Sequence, residues 1–449
     1  MKKINIYITA MLLIIAATAK AQNVFTLQKA IDTALQNNTE LQKKRMDTES
    51  MKELKKQLYT KYFPHVSITA TAFMRNRGLG EGSELMDFLF TAMSDDKSFI
   101  AENVQILKYG VFGGLRFVQP IYTGGRITSA NKLSEIGIKA TNELTAIKED
   151  ELKQEVEQYF WQLAQLYEMD KSLRTMDSLA ECAKHDATLA LKAGLVTQND
   201  KMQVDIKVSQ LESAHLQIDN GKKLCKEYMA YLLGTEKIDS IEWDDIYTTK
   251  EPTLYQIAHE TALLDRHETK LLQLKIDATK QQKKYVRGGL LPTVGAMFAL
   301  SYHHMYAKRD GGLYNNFFDP HSTGWVAAAN VSIPLSAWWG GKHTLKRSDL
   351  SIRKAEVDYN DKRRLMEVQI SMKWNTLNEK YKQVEVAEKQ LQQAKQNQKQ
   401  QATAYRSGSC TMTERLQADA LYEKSRTAYI DACIRYKIAI SEYLHATGR

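Results

Sequence analysis

The histidines and one glycine-rich segment are the residues of this chain best suited to chemistry, and their spacing does not fit it. HETALLDRHET places His259 and His267 eight residues apart, whereas a helical zinc site needs histidines at i and i+4 with a glutamate between them. His303 and His304 are adjacent in a predicted strand and therefore point to opposite faces. GLGEGS, at 78–83, has glycine spacing similar to a phosphate loop but opens no βαβ unit. We therefore expect no enzymatic activity, no metal and no cofactor.

The first 21 residues indicate a secretory signal peptide. Lys2 and Lys3 precede an apolar core at 4–17, and Ala-Lys-Ala at 19–21 stands before Gln22. This is the pattern of a cleavable leader that is too short to span a bilayer. No later segment has an uncharged apolar run of about 18 residues, so we expect no transmembrane helix.

The charge balance does not favour a nucleic-acid partner. The formal net charge is +9, and removal of the leader takes away Lys2, Lys3 and Lys20, so that 59 of the 62 basic residues remain against 53 acidic ones. These residues alternate in sign along predicted helices and form no dedicated basic block, which is typical of solvated helix faces.

The chain is an internal duplication. Each half reads helix, proline, strand, loop, strand, proline, glycine pair, long helix, glycine turn and helix. The matching positions are Pro64 with Pro292 at an offset of 228, and Pro120 with Pro334 and Gly194 with Gly408 at an offset of 214. We predict a first structural repeat at 22–234, a linker at 235–252 and a second repeat at 253–449.

Four segments alternate apolar and polar residues with a period of two, which predicts strands of about 12 residues with one apolar face. Such strands suit a membrane β-barrel, although a soluble sheet packed on helices is an alternative. Four strands cannot close a barrel in a bilayer, and open edges would leave backbone groups unpaired in lipid. Several copies must therefore share one barrel, and three copies would supply 12 strands.

Prolines and glycine pairs mark the joints between strands and helices. VQPIYTGGR at 118–126 and VSIPLSAWWGGK at 331–342 each end a strand before a very long helix. We interpret them as one joint used twice. The predicted joint residues are Pro64, Pro120, Gly124, Gly125, Pro292, Pro334, Gly340 and Gly341.

The helices are unusually long, and their lengths agree. The segment 126–193 contains no proline, and its 68 positions would span about 100 Å. Segments 27–62 and 199–233 are each about half as long, so that together they match it. Apolar residues recur every 3.5 residues, for example at Ile370, Trp374 and Leu377, which predicts coiled-coil packing between long antiparallel helical hairpins.

The ordered set of these features resembles the TolC-like outer-membrane efflux protein family over nearly the whole mature chain. The segments that carry the resemblance are LQKAIDTALQNNTELQ, FPHVSITA, YTGGR, LKAGLVTQNDKMQVD and YRSGSCTMTERLQAD, together with the duplication. The resemblance implies a mainly α protein whose four strands per chain complete a trimeric 12-stranded barrel above a periplasmic α-barrel. It places the linker 235–252 in the equatorial region of that α-barrel.

The resemblance also implies function, location and partners. It describes a homotrimer in the outer membrane of a Gram-negative bacterium that extends into the periplasm. A periplasmic adaptor and an inner-membrane RND or ABC transporter would deliver small toxic compounds to it. A duct for type I protein secretion is the nearer alternative, because the lumen is shared and the pump chooses the cargo. A periplasmic coiled-coil adaptor without a barrel is the more distant one.

Two glycine turns, AGLVTQND at 193–200 and SGSCTMTE at 407–414, are predicted to end the hairpins. In the family, such tips dock onto the adaptor. The resemblance assigns that role to Gly194, Leu195, Val196, Gly408 and Ser409.

The family also holds this tip closed by polar links and an acidic ring, which together form a periplasmic gate. Spacing from the turn glycines places Asp200 and Tyr405 at one such link and Glu414 at a ring position. Gln417 occupies the other ring position, where an acid is common, and Cys410 stands where some relatives have a basic linking residue. These two departures bear on the strength of closure and on any cation-binding ring.

Disulfides are not expected. Cys182, Cys225, Cys410 and Cys433 lie at different heights along the predicted hairpins. No pair comes within the limit of roughly 7 Å between Cα atoms that a disulfide requires. We predict four free thiols, most of them buried.

Overall fold

The structure, a computed structural model, describes residues 24–74, 109–194, 196–256, 262–263, 266–306 and 321–448. The helices are α1 (Leu27–Asn37), α2 (Thr39–Tyr59), α3 (Arg126–Lys192), α4 (Gln198–Leu233), α5 (His267–Gly288), α6 (Ala337–Arg406) and α7 (Met412–Ala446). The strands are β1 (Val24–Phe25), β2 (His65–Met74), β3 (Tyr109–Tyr122), β4 (Ser240–Ile241), β5 (Thr293–Tyr306) and β6 (His321–Ser332). Short 3-10 turns lie at Thr60–Tyr62 and Pro252–Tyr255. Of the helices described, none contains a stretch apolar and long enough to cross a bilayer.

Two compact units make up the described chain, and both draw on the two halves of the sequence. The strand unit comprises 49–139 and 274–356, and the helix unit comprises the remaining segments up to 48, 140–273 and from 357 onward. The division into sequence repeats stays a prediction, because the units gather strands with strands and helices with helices.

The strand unit is built on one antiparallel sheet of four strands in the order β2-β3-β5-β6. Its strand pairs are long, and the described part of the chain offers no partner to the outer edges of β2 and β6. The register places Ile68, Leu115, Leu300 and Trp325 in one row across all four strands.

One face of this sheet is apolar and uncovered. Ile68 is 78% exposed, Trp325 71% and Leu300 42%, so no described element packs on them. The opposite face carries small residues in the next row, Thr69, Gly114, Ser301 and Gly324. The predicted period-two alternation is therefore confirmed, and the alternative of a soluble sheet packed on helices does not describe this sheet.

Glycines in β3 explain why its alternation is weak in the sequence. A Cβ atom on Gly114 would lie 2.1 Å from the carbonyl oxygen of Leu300, and one on Gly113 would lie 2.7 Å from that of Thr69. The neighbouring backbones therefore leave no space for a side chain at these positions. Gly295 differs, because a Cβ atom there would make an ordinary contact of 3.6 Å with the Gln119 oxygen.

We predict that Gly114→Ala destabilises the sheet by more than about 1 kcal/mol, because the added methyl group forces β3 and β5 apart. Gly295→Ala is the matched control and is expected to leave stability nearly unchanged. Thermal unfolding followed by the far-ultraviolet signal of the strands measures the difference. Equal melting temperatures for the two variants would contradict the close approach.

The two glycine-pair joints differ in structure, which corrects the expectation of one joint used twice. Gly124 and Gly125 take positive φ values of 64° and 78° in a turn before α3. A Cβ atom on Gly124 would also lie 2.1 Å from the Gly288 oxygen. Gly340 and Gly341 instead lie inside the first turns of α6, which begins at residue 337. The second helix thus starts earlier, within AWWGG.

The prolines of the joints also fall in different settings. Pro64 directly precedes β2, and Pro292 directly precedes β5. Pro334 lies between the end of β6 and the start of α6. Pro120 lies inside β3, where the register with β5 shifts between Pro120 and Tyr122. The shift is explained by the proline, because its nitrogen cannot donate a hydrogen bond to the neighbouring strand.

The helix unit contains the predicted coiled-coil seams. In α3, Val156, Phe160 and Leu163 are buried in one core cluster. In α6, the corresponding buried residues are Ile370, Leu377 and Val384, and Trp374 and Tyr381 pack against them. The 3.5-residue stripes are therefore confirmed as packing surfaces.

Two local features of the helix unit were not predicted. The helix expected at 27–62 is broken at Asn38, whose carboxamide oxygen accepts hydrogen bonds from the backbone of Glu40 and Leu41 and whose nitrogen donates to the Leu232 carbonyl. The linker 235–252 contributes β4, which pairs in parallel with β1. Phe25 and Ile241 of this pair are buried.

All four cysteines are free, as predicted. Cys225 and Cys433 are buried, Cys410 is half-buried and Cys182 is exposed. The expectation that most are buried thus holds for two of the four. Burial raises the pKa of the Cys225 and Cys433 thiols to about 11, so both are protonated at neutral pH.

Candidate functional site

The two predicted tips are glycine turns that reverse the chain between long helices. Gly194 follows α3 with a φ of 71°, and Gly408 follows α6 with a φ of 74°. Among the described residues, no atom beyond the glycine and its chain neighbours lies within 4 Å of a Cβ atom built on either residue. Glycine is therefore favoured there by the left-handed backbone and not by a lack of space. The Ser409 amide donates to the Ala404 carbonyl, which closes the second turn.

A capping box begins each returning helix. Thr197 donates its amide and hydroxyl to the Asp200 carboxylate at 2.8 Å, and Thr411 does the same to Glu414 at 2.7 and 2.9 Å. These hydrogen bonds lower the pKa of both carboxyl groups. Their stabilising effect is present above the pKa of the unfolded chain and is lost as the pH falls through the lower folded pKa. Within one chain, both predicted gate acids thus hold helix ends.

Arg415 links three helices at the tip. Its Nη1 donates to Oδ2 of Asp186 at 2.8 Å, which joins α7 to α3. Its guanidinium carbon lies 5.0 Å from the centroid of the Tyr405 ring of α6. The Arg415 side chain is 5% exposed, and its Nε has no hydrogen-bond partner in the described part of the chain. Burial raises the pKa of Tyr405, while the Arg415 charge opposes that rise.

Sequence reasoning found Tyr405 but missed Arg415 and Asp186. Tyr405 stands at a fixed distance from a turn glycine, which is a local signal. Arg415 and Asp186 are 229 residues apart and stand among many charged helix residues. The sequence offered no signal for this pair, because the burial of Arg415 is known only once the helices are placed.

Polar contacts continue beside this cluster. Thr413 donates to Gln203 at 3.1 Å, and Lys207 pairs with Glu423 at 2.5 Å. Gln398 donates to the buried Asp419 carboxylate at 2.9 Å, and burial raises the pKa of Asp419. The first two contacts join the two hairpins, whereas the Gln398–Asp419 hydrogen bond joins the two helices of the second hairpin.

The predicted tip residues are brought together in part. Val196, Asp200, Tyr405 and Gly408 line one cleft of about 660 Å³ between the hairpin ends. A small buried core lies next to it, formed by Ala183, Ala187, Val204 and Met412, with Tyr405 packed against it.

The remaining tip residues lie outside this cleft. Ser409, Glu414 and Gln417 are exposed to solvent elsewhere on the tip. Leu195 falls outside the described residues, so its predicted docking role stays a prediction.

The described residues contain no group of three or more His, Cys, Asp or Glu side chains arranged to hold a metal ion. The site consists of two helix N-termini held by capping boxes and of a buried arginine that joins three helices. An open sheet with an uncovered apolar face and long paired helices are the features that the resemblance to an outer-membrane channel predicts.

Comparison of sequences agrees with this class. Residues 259–448 match the family model described as outer membrane efflux protein, which confirms the resemblance to the TolC-like family. No curated protein sequence matches the chain.

Solved structures show the same fold over 94% of the chain. A membrane protein from Pseudomonas aeruginosa matches with a TM-score of 0.76 at 16% identity over 90% of its length. The CmeC outer membrane channel of Campylobacter jejuni matches with a TM-score of 0.76 at 17% identity over 85% of its length. The outer membrane protein VceC of Vibrio cholerae matches with a TM-score of 0.74 at 15% identity over 96% of its length. The fold class expected from the sequence is confirmed.

Proposed function

We propose that the protein is the outer-membrane exit duct of a tripartite efflux system, which conducts small toxic compounds passively across the periplasm and outer membrane. The sheet is the observation that carries this proposal. Its apolar face is exposed, and the described chain leaves the outer edges of β2 and β6 unpaired. Lipid does not tolerate unpaired backbone groups, so neighbouring copies must pair with these edges.

A trimer is the smallest assembly whose barrel also leaves an open interior. Three sheets supply 12 strands, whereas two supply eight, which leaves an interior that side chains fill. The sheet also favours a duct over a periplasmic adaptor without a barrel. An adaptor would expose this apolar face to water, which is unfavourable. A periplasmic adaptor and an inner-membrane RND or ABC transporter complete the proposed system.

We place the gate and the adaptor contact at the hairpin tips. Asp200 and Tyr405 line one cleft, and their side chains are the proposed link between neighbouring hairpins. Glu414 and Gln417 are exposed and are the proposed ring positions. The turns at 193–197 and 407–411 are the proposed docking surface for the adaptor. The duct itself performs no chemistry, since transport energy comes from the pump.

Conductance of the purified protein in planar lipid bilayers tests this function. The wild type is expected to form channels of low conductance. The double variant Asp200→Ala/Tyr405→Phe is expected to raise that conductance, because it removes the proposed link between hairpins. Asp219→Ala/Tyr231→Phe, which changes the same residue types at exposed positions of α4, is the matched control.

The outcomes separate the gate from the duct. A double variant that conducts like the wild type would remove Asp200 and Tyr405 from the gate and leave the duct intact. A wild-type protein that is soluble without detergent and forms no channel would contradict the proposed function as a whole.

A further inference from the structure

The helix segments that adjoin the four strands carry the excess positive charge of this chain. We define the basic collar as residues 52–63, 123–135, 280–290 and 337–349. The collar contains thirteen Lys and Arg residues against three Asp and Glu residues, whereas the rest of the chain contains 49 against 50. The net charge of the protein is therefore concentrated in these four short segments.

The four segments lie together where the strands of the sheet begin and end, on the side that joins the helices. The strand pairing brings the start of β2 beside the end of β3 and the start of β5 beside the end of β6. Side chains then join the segments directly. Arg126 donates to the Tyr285 hydroxyl at 2.8 Å, and the Trp338 indole donates to the Leu290 carbonyl at 2.7 Å. The collar is thus one surface in space.

The acids of the collar are already paired, which leaves most of its cations without a counter-charge. The pairs are Lys56 with Glu53 at 2.7 Å, Lys55 with Glu135 at 3.0 Å and Lys283 with Asp349 at 2.5 Å. In the described ranges, nine other collar cations are exposed and have no carboxylate within 4 Å. They are Lys52, Lys61, Arg126, Lys132, Lys284, Arg287, Lys342, Lys346 and Arg347.

The strands next to the collar have the opposite character. Arg116 is the single Lys, Arg, Asp or Glu residue in the sequences of β2, β3, β5 and β6. Exposed aromatic residues mark the change from strands to collar, and Trp339 is 85% exposed. Tyrosine and tryptophan prefer the boundary between hydrocarbon and water. The order of apolar sheet, aromatic boundary and cationic helices therefore matches the layers of a lipid leaflet.

We propose that the basic collar binds the phosphate groups of anionic lipids in the leaflet that meets the helix-joined ends of the strands. This inference rests on the proposed membrane location. A lysine or arginine near an anionic lipid surface contributes about 1 kcal/mol, and the effect extends about one Debye length, roughly 10 Å at moderate salt. Collar residues within the first two helical turns lie inside that distance.

Tryptophan quenching by brominated lipids in reconstituted vesicles tests the proposal. Trp338 and Trp339 lie in the collar, so in a variant whose other four tryptophans are replaced by phenylalanine their fluorescence reports which lipid lies next to it. Quenching by brominated phosphatidylglycerol is compared with quenching by brominated phosphatidylcholine, which gives the relative association of the two headgroups. The wild type is expected to prefer phosphatidylglycerol by about fivefold or more, the ratio that corresponds to one such cation.

Two matched variants separate the collar from charge in general. Lys284→Gln/Arg287→Gln/Lys342→Gln/Lys346→Gln is expected to lose most of the preference, and high salt is expected to reduce it in the wild type. The control, Lys382→Gln/Lys389→Gln/Lys395→Gln/Lys399→Gln, removes four exposed lysines of α6 outside the collar and is expected to keep it.

Each result of the quenching experiment supports or contradicts lipid binding by the collar. Equal quenching by the two lipids in the wild type, a collar variant that keeps the preference, or a control that loses it equally would overturn the collar while leaving the duct in place. A collar variant that keeps the lipid preference but changes the ion selectivity of the channel would place these cations in the lumen instead. No quenching by either lipid would contradict the membrane location itself.

Discussion

Asp186→Asn is expected to loosen the hairpin tips more than other single changes there, because it leaves the Arg415 guanidinium buried without its ion-pair partner. Removing one partner of a buried ion pair costs about 3–5 kcal/mol. Asp186 is 29% exposed, so water weakens the pair, and we expect roughly 2 kcal/mol. Faster hydrogen exchange of the amides around 183–205 and a higher single-channel conductance are the expected results.

The charge of Arg415 is the cause we assign, and a second substitution tests that cause. Asp186→Asn/Arg415→Met replaces the buried cation with an apolar chain of similar length. The double variant is expected to recover most of the lost protection, because no uncompensated charge remains. Asp205→Asn is the control, since it removes the half-buried pair with Lys201, which leaves no buried charge behind. If Asp186→Asn has no larger effect than Asp205→Asn, Arg415 does not hold the tip.

Leu300→Arg is expected to prevent stable insertion of the sheet. Leu300 lies near the middle of β5 in the apolar row with Leu115 and Trp325. An arginine at the middle of the lipid face costs about 2–4 kcal/mol per copy, and a trimer carries it three times. Assembly of the proposed trimer and its channel activity should both be lost in outer-membrane fractions.

The neighbouring residue provides the control. Ser301 faces the other side of the sheet, beside Gly114 and Gly324. Ser301→Arg is expected to assemble, because that face lines the interior of the proposed barrel and is wetted. If the two variants assemble equally well or equally poorly, the assignment of the lipid-facing side is wrong.

The sequence predicted those parts of the fold that depend on local pattern. The sheet face containing Leu300 and Trp325 follows from a period of two, and α3 follows from the absence of proline between residues 126 and 193. The glycine turns were equally visible, because a positive φ at Gly194 and Gly408 has a local signature.

The parts that could not be predicted depend on how distant segments meet. The Asp186–Arg415 pair requires the rotation of two helices about their axes, which no single stretch of sequence contains. The capping role of the two carboxyl groups at the tips could nevertheless have been predicted from the sequence. Thr197 with Asp200 and Thr411 with Glu414 have the spacing of a capping box, and the resemblance drew attention to gating instead.

The parallel pairing of β1 with β4 has a consequence for biogenesis. Val24 pairs with Ser240, more than two hundred residues later, and Phe25 is buried beside the same core. A polypeptide that crosses a membrane with its amino end first must wait for this partner to emerge. Contacts so remote in sequence form late and leave apolar surface open to aggregation meanwhile. On a chain exported with its amino end first, we therefore expect Phe25 to stay exposed until the midpoint of the chain has emerged.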